Sequence, residues 1–251
     1  MAKMDEFKAE RAAIKDKPFK ERLAYFIEYY GARTLLIAIC VIGLVTVIIK
    51  NITAKDVVLY AAMYNTMDLK KDGAYAESFK EYAQINPKQQ DVIIDETMYI
   101  DLVHWDEYTN SSIEKTMLFI TSQELDVMIS QEFVIEYFAY FDLLMDVREF
   151  LTPEQLEKYK DSLYYIDRHM LENEQESEDS LYLEYKHDYP DPRKPELMKD
   201  PVPVGIYMGD TNELAIRSSY YIDGDDPVFG VVVNSKNAAW ANQFFEFVMQ
   251  K

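Results

Sequence analysis

The uncharged run Thr34-Leu-Leu-Ile-Ala-Ile-Cys-Val-Ile-Gly-Leu-Val-Thr-Val-Ile-Ile49 decides how the rest of this 251-residue chain is arranged. It is a little shorter than the ~20 residues that cross a bilayer core. Extending it back to Tyr29 adds one charge, Arg33, whose long side chain can reach the headgroups. Because a buried helix of a soluble protein rarely lacks a polar face, we predict a transmembrane helix over residues 34–50. A cleaved signal peptide ending at Ala54 stays open as an alternative.

The charges on the two sides of this run predict its orientation. Residues 1–33 carry eight Lys and Arg against six Asp and Glu, whereas residues 51–251 carry 17 against 39, a net charge of −22. Positively charged flanks of a membrane helix stay in the cytoplasm. We therefore predict a single-pass protein of the cell membrane, with a cytoplasmic head over residues 1–33 and an extracellular domain over residues 52–251.

The head contains apolar residues at helical spacing, namely Phe19, Leu23, Phe26, Ile27 and Tyr30. This spacing predicts an amphipathic helix over residues 18–30 that lies at the inner membrane surface and continues into the span. A plain flank of the span with no surface function explains the same residues equally well.

Composition narrows the partners of the outer domain. The only cysteine, Cys40, lies inside the apolar run, so the outer domain has no disulfide, which fits a bacterial surface protein. The net charge of −22 excludes nucleic acid and anionic lipid as favourable partners and permits a basic protein or peptide. The alternative is that the charge serves solubility alone.

Apolar strand patterns alternate with helical patterns along the outer domain. We predict strands at 56–64, 91–94, 125–130, 162–167, 202–207 and 228–234, with a short further strand at 98–103. Predicted helices cover 75–85, 111–121, 131–141, 152–160 and 237–249. Ser111 with Glu114 has capping-box spacing, and Thr152 precedes a proline suited to a first helical position. The pattern predicts an α/β fold with a mixed sheet covered by helices on both faces.

Three stretches of this domain resemble one family, and they are Leu125-Asp-Val-Met-Ile-Ser130 with the segment through Leu151, Pro201-Val-Pro-Val-Gly-Ile-Tyr207, and Val231 to Val248. They resemble one lobe of the type 2 periplasmic-binding fold of extracellular solute-binding proteins. The head and span resemble a group of single-pass proteins of Gram-positive, Clostridia-like bacteria. The resemblance implies a binding domain with ligand held between two lobes.

The stretches that would form a second lobe are short in this chain. Only residues 168–200 separate the strand ending at Asp167 from the strand starting at Pro201, and about 20 residues separate Tyr207 from Val228. Domains of ~100 residues are the common size. We therefore expect about one lobe, which acts as a protein or peptide interaction module at the cell surface. The alternative is the substrate-binding subunit of an ABC-type importer, tethered by a transmembrane helix, with a small-molecule ligand.

No catalytic residues are predicted. His104, His169 and His187 lie far apart and none has a neighbour at ligand spacing. The chain contains no nucleophile-elbow, zinc-protease or phosphate-loop motif. We expect neither enzymatic activity nor a cofactor.

Tyrosines and acids supply the candidate binding residues. Exposed tyrosines that could line a groove for a ligand or partner are Tyr164, Tyr165, Tyr182, Tyr185, Tyr220 and Tyr221, although core packing accounts for about half of such residues. Asp223, Asp225 and Asp226 offer a weak Ca²⁺ site, for which a polar turn is the simpler interpretation. An acidic insert over residues 169–200 either docks a basic partner or is a solvated loop.

Overall fold

The computed structural model describes residues 17–66, 73–174, 189–209 and 226–250, and its contacts divide the chain into two units at Ala54 and Lys55. In the first unit, helix α1 runs from Phe19 to Thr53 without a break between the amphipathic segment and the apolar run. Its segment Tyr30–Lys50 has a mean hydropathy of 2.6 and buries none of its apolar window. By length and composition this helix can cross a membrane.

The second unit contains a sheet and its covering helices. In chain order these are β1 (Asp56–Tyr64), α2 (Ala74–Tyr82), β2 (Gln90–Met98), α3 (Glu107–Thr121), β3 (Val127–Ser130), α4 (Glu132–Tyr140), α5 (Pro153–Tyr159), β4 (Leu163–Asp167), α6 (Arg168–Glu174), β5 (Pro201–Tyr207), β6 (Val228–Val231) and α7 (Ala238–Val248). Short 3₁₀ helices lie at Val147–Glu149, Lys160–Ser162 and Pro195–Leu197.

The six strands form one mixed sheet in the order β2-β1-β3-β6-β5-β4. Strand β1 pairs in parallel with β2 and β3, whereas β6 is antiparallel to both β3 and β5, and β4 is antiparallel to β5. Strand β5 consequently runs in the same direction as β1 and β3. The predicted α/β class with a mixed sheet is confirmed.

Both faces of the sheet are buried, as the apolar strands predicted. Alternate residues of β1 belong to two different apolar clusters. On the α4 face, Tyr60, Ala62 and Tyr64 pack with residues of α3 and α4. On the α7 face, Leu59, Ala61 and Met63 pack with residues of α2 and α7. Burial on both faces explains why β1 is apolar without alternation.

Helix α3 begins before the predicted position, so the capping box at Ser111 is wrong. The Asp106 carboxylate accepts a hydrogen bond from Thr109 N at 2.8 Å and caps the helix, which places Ser111 inside it. Aspartate is as good an N-cap as serine, so the earlier residue starts the helix.

The predicted strand at 98–103 is also wrong. Strand β2 ends at Met98, and the next backbone donors bond to side chains. Tyr99 N donates to Ser112 Oγ of α3 at 3.1 Å, Ile100 N to Asn65 Oδ1 at 2.7 Å, and Asp101 N to Thr109 Oγ1 of α3 at 3.0 Å. These bonds replace the ladder that a strand needs. The predicted cap at Thr152 is confirmed, because its hydroxyl accepts from Gln155 N and the Gln155 side chain accepts from Thr152 N.

Candidate functional site

Three strands end at one edge of the sheet, which we call the carboxyl edge and define by Asn65, Gln131, Glu132, Met208 and Asp226. Asn65 follows β1, Gln131 and Glu132 follow β3, Met208 follows β5, and Asp226 lies just before β6. The strand register aligns these ends across the sheet, since both β3 and β5 pair with the first residue of β6 in their last positions. Side chains that follow three strands and one that precedes a fourth therefore lie along the same edge of the sheet.

Within this edge, the chain leaves β1 and β3 on opposite faces. Phe79 of α2, the helix after β1, packs on the α7 face, whereas Phe138 of α4, the helix after β3, packs on the α4 face. Strands whose following helices part in this way leave a crevice at their carboxyl ends, which is where open α/β sheets bind ligands.

Asn65 is buried at the end of β1, and hydrogen bonds fix its side chain. It has a positive φ of 56°, a conformation that asparagine tolerates better than most residues. Its Oδ1 accepts from Ile100 N at 2.7 Å and its Nδ2 donates to the Ile100 carbonyl oxygen at 2.8 Å. The two-way pairing fixes which end of the Asn65 amide faces which neighbour.

Gln131, which follows β3 and bonds to Asn65, is fully buried, and only the oxygen of its side-chain amide is hydrogen-bonded within the described residues. Its Oε1 accepts from Asn65 Nδ2 at 3.3 Å and from Ser130 Oγ at 3.2 Å. Its Nε2 has no hydrogen-bond partner within the described ranges. Because Asn65 cannot turn, rotating the Gln131 amide would bring two donors together. A buried donor without a partner costs about 1–3 kcal/mol, so an acceptor from a ligand would relieve this cost.

The start of α4 adds further donors beside Gln131. Gln131 is the N-cap residue, but its side chain accepts no bond from the helix. Its carbonyl oxygen accepts from Val134 N and Ile135 N, each at 3.2 Å. The first N–H groups of a helix have no partner inside it and carry the positive end of its dipole. This turn suits a carbonyl or carboxylate oxygen.

An acidic and aromatic group lies at the other part of the carboxyl edge. Tyr207 Oη donates to Glu132 Oε2 at 2.8 Å, and burial together with this carboxylate raises the pKa of Tyr207. The Arg193 guanidinium lies 3.7 Å from the centre of the Tyr207 ring. It also donates to Asp226 Oδ2 at 3.2 Å and lies 4.0 Å from Glu132 Oε2. We call Glu132, Arg193, Tyr207 and Asp226 the arginine cluster.

One turn further along α4, Glu136 has an unusual acidity. Burial, with the Glu132 charge nearby, raises the pKa of Glu136 to about 7. Burial raises the pKa of Tyr164 of β4 well above its usual value, and the charge of Glu136 adds to this increase. The Tyr164 hydroxyl is buried and has no hydrogen-bond partner in the part of the chain that the structure describes.

The structure describes only two of the six predicted tyrosines, Tyr164 and Tyr165. Tyr164 is fully buried on the α4 face, so the expectation of an exposed groove residue is wrong there, because β4 is covered by α4. Tyr165 is half-buried and donates its N–H to the Pro192 carbonyl oxygen at 3.2 Å. The remaining predicted tyrosines, Tyr182, Tyr185, Tyr220 and Tyr221, lie outside the described residues.

Of the three residues in the weakly predicted Ca²⁺ site, the structure describes only Asp226. Asp226 forms an ion pair with Arg193, whereas Asp223 and Asp225 lie outside the described residues. Across residues 17–66, 73–174, 189–209 and 226–250, no group of three or more His, Cys, Asp or Glu side chains could hold a metal ion. Residues 175–188 of the acidic insert are likewise outside the description.

Sequence reasoning missed Asn65, Gln131, Glu132 and Arg193. The first two carried a usable signal, since each is a polar residue directly after a buried strand. Arg193 carried none, because its partners Tyr207 and Asp226 are distant in the chain.

Comparisons with known proteins found no similar protein, so the function is argued from this geometry. No family model matches the chain, and no curated protein or solved structure shows significant similarity to it.

Proposed function

We propose that this chain is a single-pass protein of the cell surface whose one-lobed, solute-binding-like domain recognises a peptide or protein segment at its carboxyl edge. Helix α1 anchors the domain, with the basic head inside and the acidic domain outside. Its role is recognition and not catalysis.

The observation that carries this proposal is the buried Nε2 of Gln131 at the carboxyl ends of β1 and β3, which has no hydrogen-bond partner among the described residues. Buried polar groups are nearly always paired, and an exception at a ligand-binding position of the fold points to a missing partner. A peptide backbone offers a carbonyl oxygen at every residue, so an extended segment can supply the acceptor. The described residues of this unit build one sheet, which favours a segment laid along an edge over a solute enclosed between two lobes.

The charge of the domain favours a basic segment. Residues 51–251 carry a net charge of −22, which speeds the encounter with cationic partners. At the carboxyl edge itself, Glu132 and Asp226 present carboxylates. A lysine or arginine next to the bound backbone would find them within reach.

A thermal-unfolding assay on the full chain in detergent micelles tests this function. The probe is the peptide acetyl-Ala-Lys-Ala-Lys-Ala-amide, with the glutamate version of the same peptide as the charge control. We expect saturable stabilisation by the basic peptide alone, since ligand at about 100 times its Kd adds about 2.7 kcal/mol. Absence of any stabilisation by the basic peptide would contradict the proposal.

The second candidate is the tethered substrate-binding subunit of an importer. The parting of the helices that follow β1 and β3 favours it, because small ligands bind at such positions in α/β proteins. The same assay separates the two functions with free amino acids, sugars and inorganic phosphate as probes. Stabilisation by one of these solutes, without an effect of the peptide, would replace the peptide function by solute capture.

Membrane topology is tested on intact cells that express the full chain. We expect added protease to remove the acidic domain while a tag fused before residue 1 stays protected. The reverse pattern would invert the orientation, and recovery of a chain that starts near residue 55 would indicate cleavage of a signal sequence.

A further inference from the structure

A short proline-rich segment of the chain contributes Arg193 to the arginine cluster. We call residues Tyr189-Pro-Asp-Pro-Arg-Lys-Pro195 the strap. The Tyr189 ring stacks on Tyr140 of α4, with ring centres 3.5 Å apart and planes within 5°. The middle of the strap accepts the hydrogen bond from Tyr165 N, and Arg193 stacks on Tyr207.

The strap has the composition of the proline-rich peptides that protein domains bind. Such peptides are extended, lack many backbone donors and dock on aromatic side chains. In the strap, residues 191–194 instead form a turn, in which Lys194 N donates to the Asp191 carbonyl oxygen at 2.9 Å. Three contacts hold it to the sheet and α4: the Tyr189 ring on Tyr140, the backbone N–H of Tyr165 on the Pro192 carbonyl oxygen, and the Arg193 guanidinium on the Tyr207 ring. Regular secondary structure is absent from residues 189–194, so side-chain and single backbone contacts hold this part of the strap.

Arg193 itself fills a site built for a guanidinium. The planar group stacks on an aromatic face while its N–H fork reaches carboxylates, a combination that lysine cannot reproduce. Tyr207 supplies the face, and Asp226 and Glu132 supply the carboxylates. The Arg193 side chain nevertheless remains 49% exposed, so solvent weakens its ion pairs and another arginine can compete for the site.

We propose that the strap occupies, within its own chain, the surface that binds an arginine-bearing, proline-rich segment of a basic partner protein. The partner's arginine takes the place of Arg193 between Tyr207, Asp226 and Glu132. This inference rests on the proposed function and names the partner chemistry for it. Displacement of the strap accompanies binding, so the strap acts as an internal competitor.

The test measures binding of the peptide acetyl-Tyr-Pro-Asp-Pro-Arg-Lys-Pro-amide to the full chain in detergent micelles by calorimetry. Removing the competitor in Arg193→Ala should tighten binding by about tenfold or more over the wild type, because the binding-competent state becomes more populated. Lys194→Ala is the matched control, since the Lys194 side chain forms an ion pair with Asp191 of the strap itself, and it should bind as the wild type does. The peptide with alanine in place of arginine should not bind either form.

A second variant keeps the test decisive if Arg193→Ala folds poorly. Arg193→Lys keeps the charge but loses the stacked fork, and it should also bind the peptide more tightly than the wild type. Equal affinity in the wild type and both Arg193 variants, or no binding to any of them at about 1 mM peptide, overturns the inference. If the alanine-lysine peptide still stabilises the wild type in that case, the proposed function stands and only the assignment of the strap fails.

Discussion

A buried polar side chain lies at each end of strand β3, and the two differ in how completely they are hydrogen-bonded. At the amino end, Asp126 accepts from Tyr60 N at 2.9 Å, from Ser235 Oγ at 2.6 Å and from Asn237 Nδ2 at 3.2 Å. At the carboxyl end, Gln131 leaves its Nε2 without a partner in the described residues. Both side chains are almost completely buried.

The difference separates structure from recognition. A buried group whose bonds are all made within the chain ties elements together, and here Asp126 joins β1 to the turn before α7. A buried group with an unmade bond costs stability, and such a cost persists where a ligand supplies the partner. The amino end of the sheet should therefore control stability, and the carboxyl end should control binding.

The largest effect should follow from Asp126→Ala. The substitution leaves three donors from two segments, β1 and the turn before α7, without their acceptor, and we expect the free energy of unfolding to fall by about 3 kcal/mol. Urea unfolding of the full chain in detergent, followed by tryptophan fluorescence, measures the loss. Asp161→Ala, at an exposed aspartate, is the control and should change stability by less than about 0.5 kcal/mol.

Asp126→Asn sharpens the same comparison. Burial raises the pKa of Asp126 despite its three donors, so a neutral amide of the same shape should cost less than alanine does. If both variants are as stable as the wild type, Asp126 does not hold the amino end together and the contrast with Gln131 loses its basis.

The next effect is a pH dependence at Glu136, on the binding side of the contrast. Its pKa is about 7 in the folded chain against 4.5 for the free side chain, so folding favours the protonated form. The contribution of Glu136 to the free energy of unfolding should be complete below pH 4.5 and should be lost as the pH rises through 7. We expect this loss to be about 1–2 kcal/mol after allowance for solvent screening. Glu136→Gln should abolish this loss in urea unfolding series between pH 4.5 and 8.

A separate loss at low pH serves as the internal control. Against the effect of burial, Lys115, Thr97 and Tyr60 lower the pKa of Asp95 to about 2. Its contribution is present above pH 3.8 and is lost as the pH falls towards 2, in the wild type and in Glu136→Gln alike. A Glu136→Gln protein that still loses stability between pH 4.5 and 7 would show that another group titrates there.

The elements of the fold followed from local patterns in the sequence. Strand β1 was predicted with its observed bounds because nine apolar-rich residues between polar ends describe a strand buried on both faces. The cap at Thr152 was predicted because a hydroxyl before proline starts helices. Both features depend on only a few consecutive residues. The error at Ser111 has the same origin, because Asp106, an equally good N-cap, lies earlier in the chain and starts the helix.

The site could not be predicted in the same way. Asn65 and Gln131 are 66 residues apart, and Arg193 and Asp226 are 33 apart, so only the strand order brings them together. Periodicity reports which face a residue occupies but not its neighbour on the next strand. The prediction of an exposed Tyr164 was wrong for a related reason, since residue type alone does not tell a binding tyrosine from a core tyrosine.

The smallest effect on stability, and the sharpest on binding, should come from Gln131→Met. Methionine fills a similar volume, and the loss of two accepted hydrogen bonds is offset by removal of an unpaired donor, so stability should change by less than about 1 kcal/mol. Binding of the alanine-lysine peptide should weaken about tenfold, as for the loss of one buried hydrogen bond to a ligand.

Gln155→Met is the matched control, because the buried Gln155 bonds through both ends of its amide, to Asn242, Glu246 and Thr152. It should lose about 2 kcal/mol of stability and bind the peptide normally. If Gln131→Met instead loses stability as Gln155→Met does and binds like the wild type, the open end of β3 is structural and the contrast between the two ends disappears.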